Sequence, residues 1–126
     1  MAKILVIDDE AEQIEALRLL LRETYEVVGA TTPIEAFSLT ARDGFDLILL
    51  DMRLGDDVSG LTVAATIRQG KRHRTIPIIA YSGYPDFSVA EIVEAGCNDF
   101  LPRPFNREQL LSKVEYWTHP KTPKMR

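Results

Sequence analysis

Four short apolar runs in this chain show no polar alternation, and each ends in a polar side chain. Ile4-Leu5-Val6-Ile7 runs into Asp8-Asp9, and Leu47-Ile48-Leu49-Leu50 runs into Asp51. Ile76-Pro77-Ile78-Ile79-Ala80-Tyr81 runs into Ser82, and Asp99-Phe100-Leu101-Pro102 runs into Arg103. Runs of this length, rich in leucine and β-branched residues, read as strands buried on both faces, the pattern of a parallel sheet. A shorter run, Tyr25-Glu26-Val27-Val28, reads as a weaker fifth strand.

Segments with helical spacing lie between the runs. Ile14, Leu17, Leu20 and Leu21 place one stripe on a helix over residues 10–22. Ile34, Phe37 and Ala41 mark a second, entered through Thr32 as cap and Pro33 in the first turn. Leu61, Ala64, Ala65 and Ile67 mark a third, and Val89, Ile92 and Val93 a fourth. Leu110, Leu111, Val114 and Trp117 mark a fifth, with Asn106 as its cap. Strand and helix therefore alternate five times. That order demands parallel strands, right-handed crossovers and helices on both faces of one sheet. Ligands of such open sheets bind outside the carboxyl ends of the strands, which is where Asp8, Asp9, Asp51, Ser82 and Arg103 converge.

At 126 residues the chain fits one domain, and its 45% apolar content is enough for a full core. The formal charge of −4 argues against nucleic-acid binding as the main activity, because that needs a basic face. The basic cluster Lys71-Arg72-His73-Arg74 reads as a solvated loop. The single cysteine, Cys97, excludes an internal disulfide and reads as a small buried residue. A strand beginning by residue 3 or 4 leaves no room for a signal peptide, and no apolar stretch approaches the ~20 residues that cross a bilayer. A soluble, cytoplasmic protein is expected.

Three carboxylates brought together repel one another and call for a cation. Mg²⁺ (or Mn²⁺) suits an all-oxygen set, and zinc does not, since the motif holds neither His nor Cys. Each aspartate alone is also compatible with capping the following helix. Asp51 differs from the pair, standing alone at the end of the most apolar run. Attack by that carboxylate on a phosphoryl group would give an aspartyl phosphate, with Ser82 and Arg103 placed to contact phosphoryl oxygens.

Four stretches in order, Ile7-Asp8-Asp9-Glu10, Leu50-Asp51-Met52 with Gly60-Leu61, Tyr81-Ser82-Gly83, and Asp99-Phe100-Leu101-Pro102-Arg103-Pro104-Phe105, make the chain resemble a receiver domain of two-component response regulators. The resemblance implies a flavodoxin-like α/β fold, a doubly wound five-stranded parallel sheet in the order 2-1-3-4-5 with five helices. It covers essentially residues 1–117, leaving 118–126 as a basic tail or the start of a linker. It makes Asp51 the phospho-acceptor, Asp9 a direct Mg²⁺ ligand, Asp8 a ligand through water, and the backbone carbonyl of Arg53 a further ligand. Ser82 and Arg103 become phosphate contacts, and Phe100 the aromatic switch of the surface formed by the fourth helix, fifth strand and fifth helix. The implied partners are a sensor histidine kinase or phosphotransfer protein, a downstream target or output domain, and a second copy joined through that same surface. No membrane or nucleic acid is implied, and the only chemistry catalysed is its own phosphorylation and dephosphorylation.

The chain departs from the family pattern in three places. Arg103 replaces the family's lysine, which keeps the charge but brings a planar, bulkier group. Gly60 falls nine residues after Asp51 where the family has eight, so a reshaped loop around Asp56-Asp57 is expected. Departures of this kind motivate a second reading, a receiver-like protein-interaction module with altered or lost switching. A haloacid-dehalogenase-type phosphatase would need an aspartate where Arg53 stands. Finally, Arg53 and Tyr84 hold the positions that flank the hydrolytic water in the family. Both are large, so self-dephosphorylation should be slow. Phosphoryl lifetimes should shorten in Arg53→Ala and Tyr84→Ala, and unchanged lifetimes in both would remove these side chains from the hydrolysis step.

Overall fold

The computed structural model describes residues 1–55, 58–70, 72–82 and 87–119. Ten elements alternate along them: β1 (Lys3–Ile7), α1 (Ala11–Leu21), β2 (Glu26–Ala30), α2 (Pro33–Arg42), β3 (Leu47–Asp51), α3 (Gly60–Gln69), β4 (Ile78–Ser82), α4 (Val89–Glu94), β5 (Asp99–Pro102) and α5 (Arg107–Thr118). The strands form one sheet in the order β2-β1-β3-β4-β5, with every neighbouring pair parallel. The chain reverses its winding between β1 and β3, which puts the ligand-binding crevice at their carboxyl ends. Pro102 sits in the edge strand β5, where a missing backbone donor is tolerated.

Side-chain alternation along the strands splits the core into two layers. Leu5, Ile7, Ile48, Leu50, Ile78 and Ala80 pack against Ala36 of α2, Val63 and Ile67 of α3, and Ile92 of α4. Ile4, Val6, Leu49, Ile79 and Tyr81 pack against Ile14, Leu17 and Leu21 of α1, with Leu110 and Val114 of α5. Three helices on one face and two on the other leave β1, β3 and β4 with almost no exposed side chain.

The predicted caps are present. Thr32 accepts the Glu35 amide at 3.1 Å ahead of Pro33. Asn106 accepts the Gln109 amide at 2.8 Å while the Gln109 side chain accepts the Asn106 amide at 2.9 Å. Cys97 is buried, and burial pushes its thiol up to about 11, as an inert core residue requires.

Several sequence expectations shift. β2 starts at Glu26 and runs through Gly29 to Ala30, whereas Tyr25 lies before it, buried under the end of α1. On α2 the buried positions are Ala36 and Thr40, not Ile34 and Ala41, and Ile34 is 79% exposed. The buried face runs through Ala36 and Thr40, one turn apart, and Ile34, two residues before Ala36, falls on the opposite side of the helix. On α4 only Ile92 is buried, with Val89 and Val93 facing out. His73 is buried as well, its Nε2 accepting the Phe45 amide at 3.2 Å, so the basic cluster is not wholly a solvated loop. No helix among the described residues is long and apolar enough to cross a membrane. Residues 120–126, most of the expected tail, lie outside those described.

Gly60 opens α3 directly under Asp51. A Cβ there would meet the Asp51 carbonyl oxygen at 2.4 Å and the Met52 Cα at 2.8 Å, backbone atoms that have little freedom to retreat. Gly44 has nothing within 4 Å of its would-be Cβ. Gly60→Ala should therefore destabilise the fold by about 2 kcal/mol or more in urea unfolding, while Gly44→Ala should leave the midpoint nearly unchanged.

Candidate functional site

Strand register builds the site. Asp51 pairs with Tyr81 across β3 and β4, and Tyr81 pairs with Leu101 of β5. Ile7 pairs with Leu50, so Asp8 comes to lie beside Asp51. By alternation Asp8, Asp51 and Tyr81 share the α1/α5 side of the sheet with Val6, Leu49 and Ile79. Arg103, two residues beyond Leu101, rises from the edge strand onto that side.

Asp8, Asp9 and Asp51 each offer a carboxylate oxygen, and the three lie within 4.8 Å of one another. Asp8 and Asp51 are buried, and Asp9 is exposed at the mouth. Glu10 is the N-cap of α1 and makes no side-chain cap bond, so neither aspartate serves as that cap. Asp8 instead accepts the Glu10 amide on Oδ1 at 2.9 Å and the Tyr81 hydroxyl on Oδ2 at 2.6 Å. Burial pushes the Asp8 carboxyl above its usual range, opposed by the Tyr81 and Glu10 bonds and by the Arg103 charge. Asp51 Oδ1 accepts the Arg53 amide at 3.1 Å. Burial first, and then the Asp8 and Asp9 charges, against the Arg53 amide and Arg103, bring the Asp51 carboxyl up to about 6.

Arg103 fills the cationic position. Its Nη2 stands 3.3 Å from Asp8 Oδ2 and 3.9 Å from Asp51 Oδ2. Its Cζ lies 4.8 Å from the centroid of the Tyr81 ring, which meets Phe105 edge-on at 6.2 Å. Ser82 is buried on the opposite side of the sheet, following Ala80, whose register partner is Phe100. Phe100 is half-buried and packs into the α2-α3-α4 layer.

The loop after Asp51 is tied back on itself. Arg53 bridges Ser59 in antiparallel fashion, Leu54 donates to the Val58 carbonyl at 3.1 Å, and Gly60 donates to the Met52 carbonyl at 2.9 Å. These bonds pair residues 52–54 with 58–60, and Gly55, at φ 113°, follows the first of the two stems. Asp56, Asp57, Gly83 and Tyr84 lie outside the described residues. Arg53 is exposed, with its amide committed to Asp51.

Sequence reasoning gave Tyr81 no role in the site, counting it as the end of an apolar run and as part of the Tyr81-Ser82-Gly83 stretch. The signal was available in the register: a polar-tipped ring one place before Ser82 sits opposite Asp51 in a parallel pair. As a donor set, three carboxylates without nitrogen or sulfur suit a hard divalent cation.

Comparison with known proteins agrees with this geometry. The family described as response regulator receiver domain matches residues 4–115. The chain is 34% identical over 91% of its length to the CAI-1 autoinducer sensor kinase/phosphatase CqsS of Vibrio cholerae, covering 17% of that protein. It is 33% identical over 90% of its length to the transcriptional regulatory protein KdpE of Mycobacterium tuberculosis, covering 50% of it. The chain thus spans half or less of these relatives. Among solved structures, the chemotaxis protein CheY4 of Vibrio cholerae superposes with a TM-score of 0.85 at 26% identity, covering 93% of this chain and 98% of that one. The receiver domain of sensor histidine kinase PA1611 from Pseudomonas aeruginosa, solved with a magnesium ion in its active-site cleft, gives 0.82 at 29% identity, covering 93% and 97%.

Asp51 holds its proton more tightly folded than unfolded, its value rising from 3.8 to about 6. Its contribution therefore favours the fold at low pH and is lost as pH rises through that window, leaving a penalty on the order of 3 kcal/mol at neutral pH. In chelator-treated protein, Asp51→Asn should raise the melting temperature at pH 7.5, and the gain should fall by about half at pH 5. A gain independent of pH would show that ionised Asp51 is not the strained group.

Proposed function

Because the chain belongs to the response regulator receiver family, we propose that it takes a phosphoryl group onto Asp51 and signals by the change this produces in its surface. The observation that supports this best is the placement of Asp51. It is a buried carboxylate at the end of the central strand, beside two further carboxylates and 3.9 Å from the Arg103 guanidinium. An Asp51 oxygen forms the new O–P bond as the P–N bond of a phosphohistidine breaks. The electron pair leaves with the imidazole, which takes a proton from solvent. Burial helps by excluding competing water and by fixing the nucleophile, whose Oδ1 is already held by the Arg53 amide.

Asp9 and Asp51 would hold Mg²⁺ or Mn²⁺ directly, with the Arg53 carbonyl beside them and Asp8 acting at one remove. That cation, when bound, supplies positive charge against the phosphoryl oxygens. Arg103 supplies a guanidinium to the same oxygens from the Asp51 side of the sheet, and Ser82, at the carboxyl end of β4 on the other side, supplies a hydroxyl over the strand end. Phe100, in register with Ala80 next to Ser82, passes the change to the α4-β5-α5 surface, the face for a downstream target, an output domain or a second copy. The donor would be a sensor histidine kinase or a phosphotransfer protein. The names of the relatives, a sensor kinase/phosphatase and transcriptional regulators, fit both ends of such a relay. The chain acts only on itself, as a switch and not as an enzyme turning over a separate substrate.

Incubation with a small phosphodonor and Mg²⁺ should add one phosphoryl group by intact mass. The gain should be absent in Asp51→Asn and absent with excess chelator. No gain with several donors would leave the chain as an interaction module that has lost the chemistry.

A further inference from the structure

Arg103 stands where the family has lysine, and the structure shows how a larger cation is fitted there. Its guanidinium lies over the Tyr81 ring, with Cζ 4.8 Å from the centroid. The Tyr81 hydroxyl donates to the same Asp8 oxygen that Arg103 Nη2 approaches at 3.3 Å. Tyr81 is itself fully buried and is held in place by Phe105 and the α1/α5 layer. Ring and carboxylate thus hold the guanidinium from two sides.

Nη2 is the donor that reaches the acidic cluster, standing 3.9 Å from Asp51 Oδ2, the atom proposed to become phosphorylated or its twin. Nε is buried without a hydrogen-bond partner among the described residues, and is closed to a ligand as the guanidinium stands.

We propose that Tyr81 is a positioning residue that holds the Arg103 guanidinium toward Asp51, so that Nη2–H donates to the phosphoryl group. The arrangement rests on the phosphorylation reading above and deepens it. Lysine needs no such platform, because an ammonium is a compact point charge that donates in any direction. Tyr81 and Arg103 therefore work as a matched pair, and neither is equivalent to the family residue taken alone.

The test reads the Arg103 Nη2–H resonance of the full chain by NMR, with beryllium fluoride and Mg²⁺ as a stable phosphoryl mimic. On adding the mimic, the signal should move downfield and exchange more slowly with solvent. Tyr81→Phe keeps the ring and should keep this response. Tyr81→Leu removes the platform, and should abolish the response and weaken mimic binding by roughly tenfold. In an Arg103→Lys background the same Tyr81→Leu change should alter binding by less than about twofold, since the two residues act as one unit. The inference fails if the mimic binds wild type without moving the Nη2–H signal, if Tyr81→Phe abolishes the response, or if Tyr81→Leu costs as much beside lysine as beside arginine. If wild type neither binds the mimic nor gains a phosphoryl group, the phosphorylation reading falls and takes the inference with it.

Discussion

Crowding of negative charge at one end of the sheet is the constraint on which the rest of the site depends. Two unit charges 4.8 Å apart repel by about 3–4 kcal/mol at an effective dielectric near 20, and three carboxylates make three such pairs. Burial of Asp8 and Asp51 adds a desolvation penalty to each. The protein offsets this with fixed donors: the Glu10 and Arg53 amides, the Tyr81 hydroxyl and the Arg103 guanidinium. Those donors do not distribute evenly. Asp8 receives three of them and Asp51 one amide with a more distant guanidinium, which leaves Asp51 the less satisfied and the more receptive group.

The architecture was legible because parallel strands buried on both faces need unbroken apolar runs, and those runs survive in the sequence almost to the residue. Strand ends carried the site, so Asp8, Asp9, Asp51, Ser82 and Arg103 could be named before any coordinate. Helix faces were harder. A stripe of large side chains on α2 suggested Ile34, yet the structure buries Ala36 and Thr40, one turn apart, and two residues of helix put Ile34 roughly 200° from Ala36. His73 was hidden among charged neighbours, since nothing local shows that the Phe45 amide across the fold needs an acceptor. Tyr81 was hidden for the opposite reason, its ring satisfying the apolar pattern while its hydroxyl belonged to the site.

Arginine at position 103 and tyrosine at position 81 illustrate why a local rule can be broken without loss of the site. Taken alone, Arg103 departs from the family pattern and puts charge pairing in doubt. With the ring beneath it and Asp8 beside it, the guanidinium reaches the acidic cluster all the same. The compensation is invisible in a residue-by-residue comparison because it lies on the neighbouring strand and depends on register.

The strand that presents Arg103 also fixes which helix can respond. Asp99 opens β5 and grips α5 firmly, accepting Lys113 Nζ at 2.8 Å and Trp117 Nε1 at 2.9 Å. Burial would raise that carboxyl, but those two bonds and the Phe100 amide together hold it below its usual range. On the opposite side of the sheet, α4 buries only Ile92. Its carboxyl end is fastened, with Arg68 donating from Nε and Nη2 to the Gly96 carbonyl at 2.9 and 2.7 Å. Its amino end begins at Ser88 with a capping box, next to Phe87, which packs against the same core layer. Of the two helices beside β5, α4 is thus the more lightly packed, while α5 is braced. Low packing density of this kind is where a fold yields first.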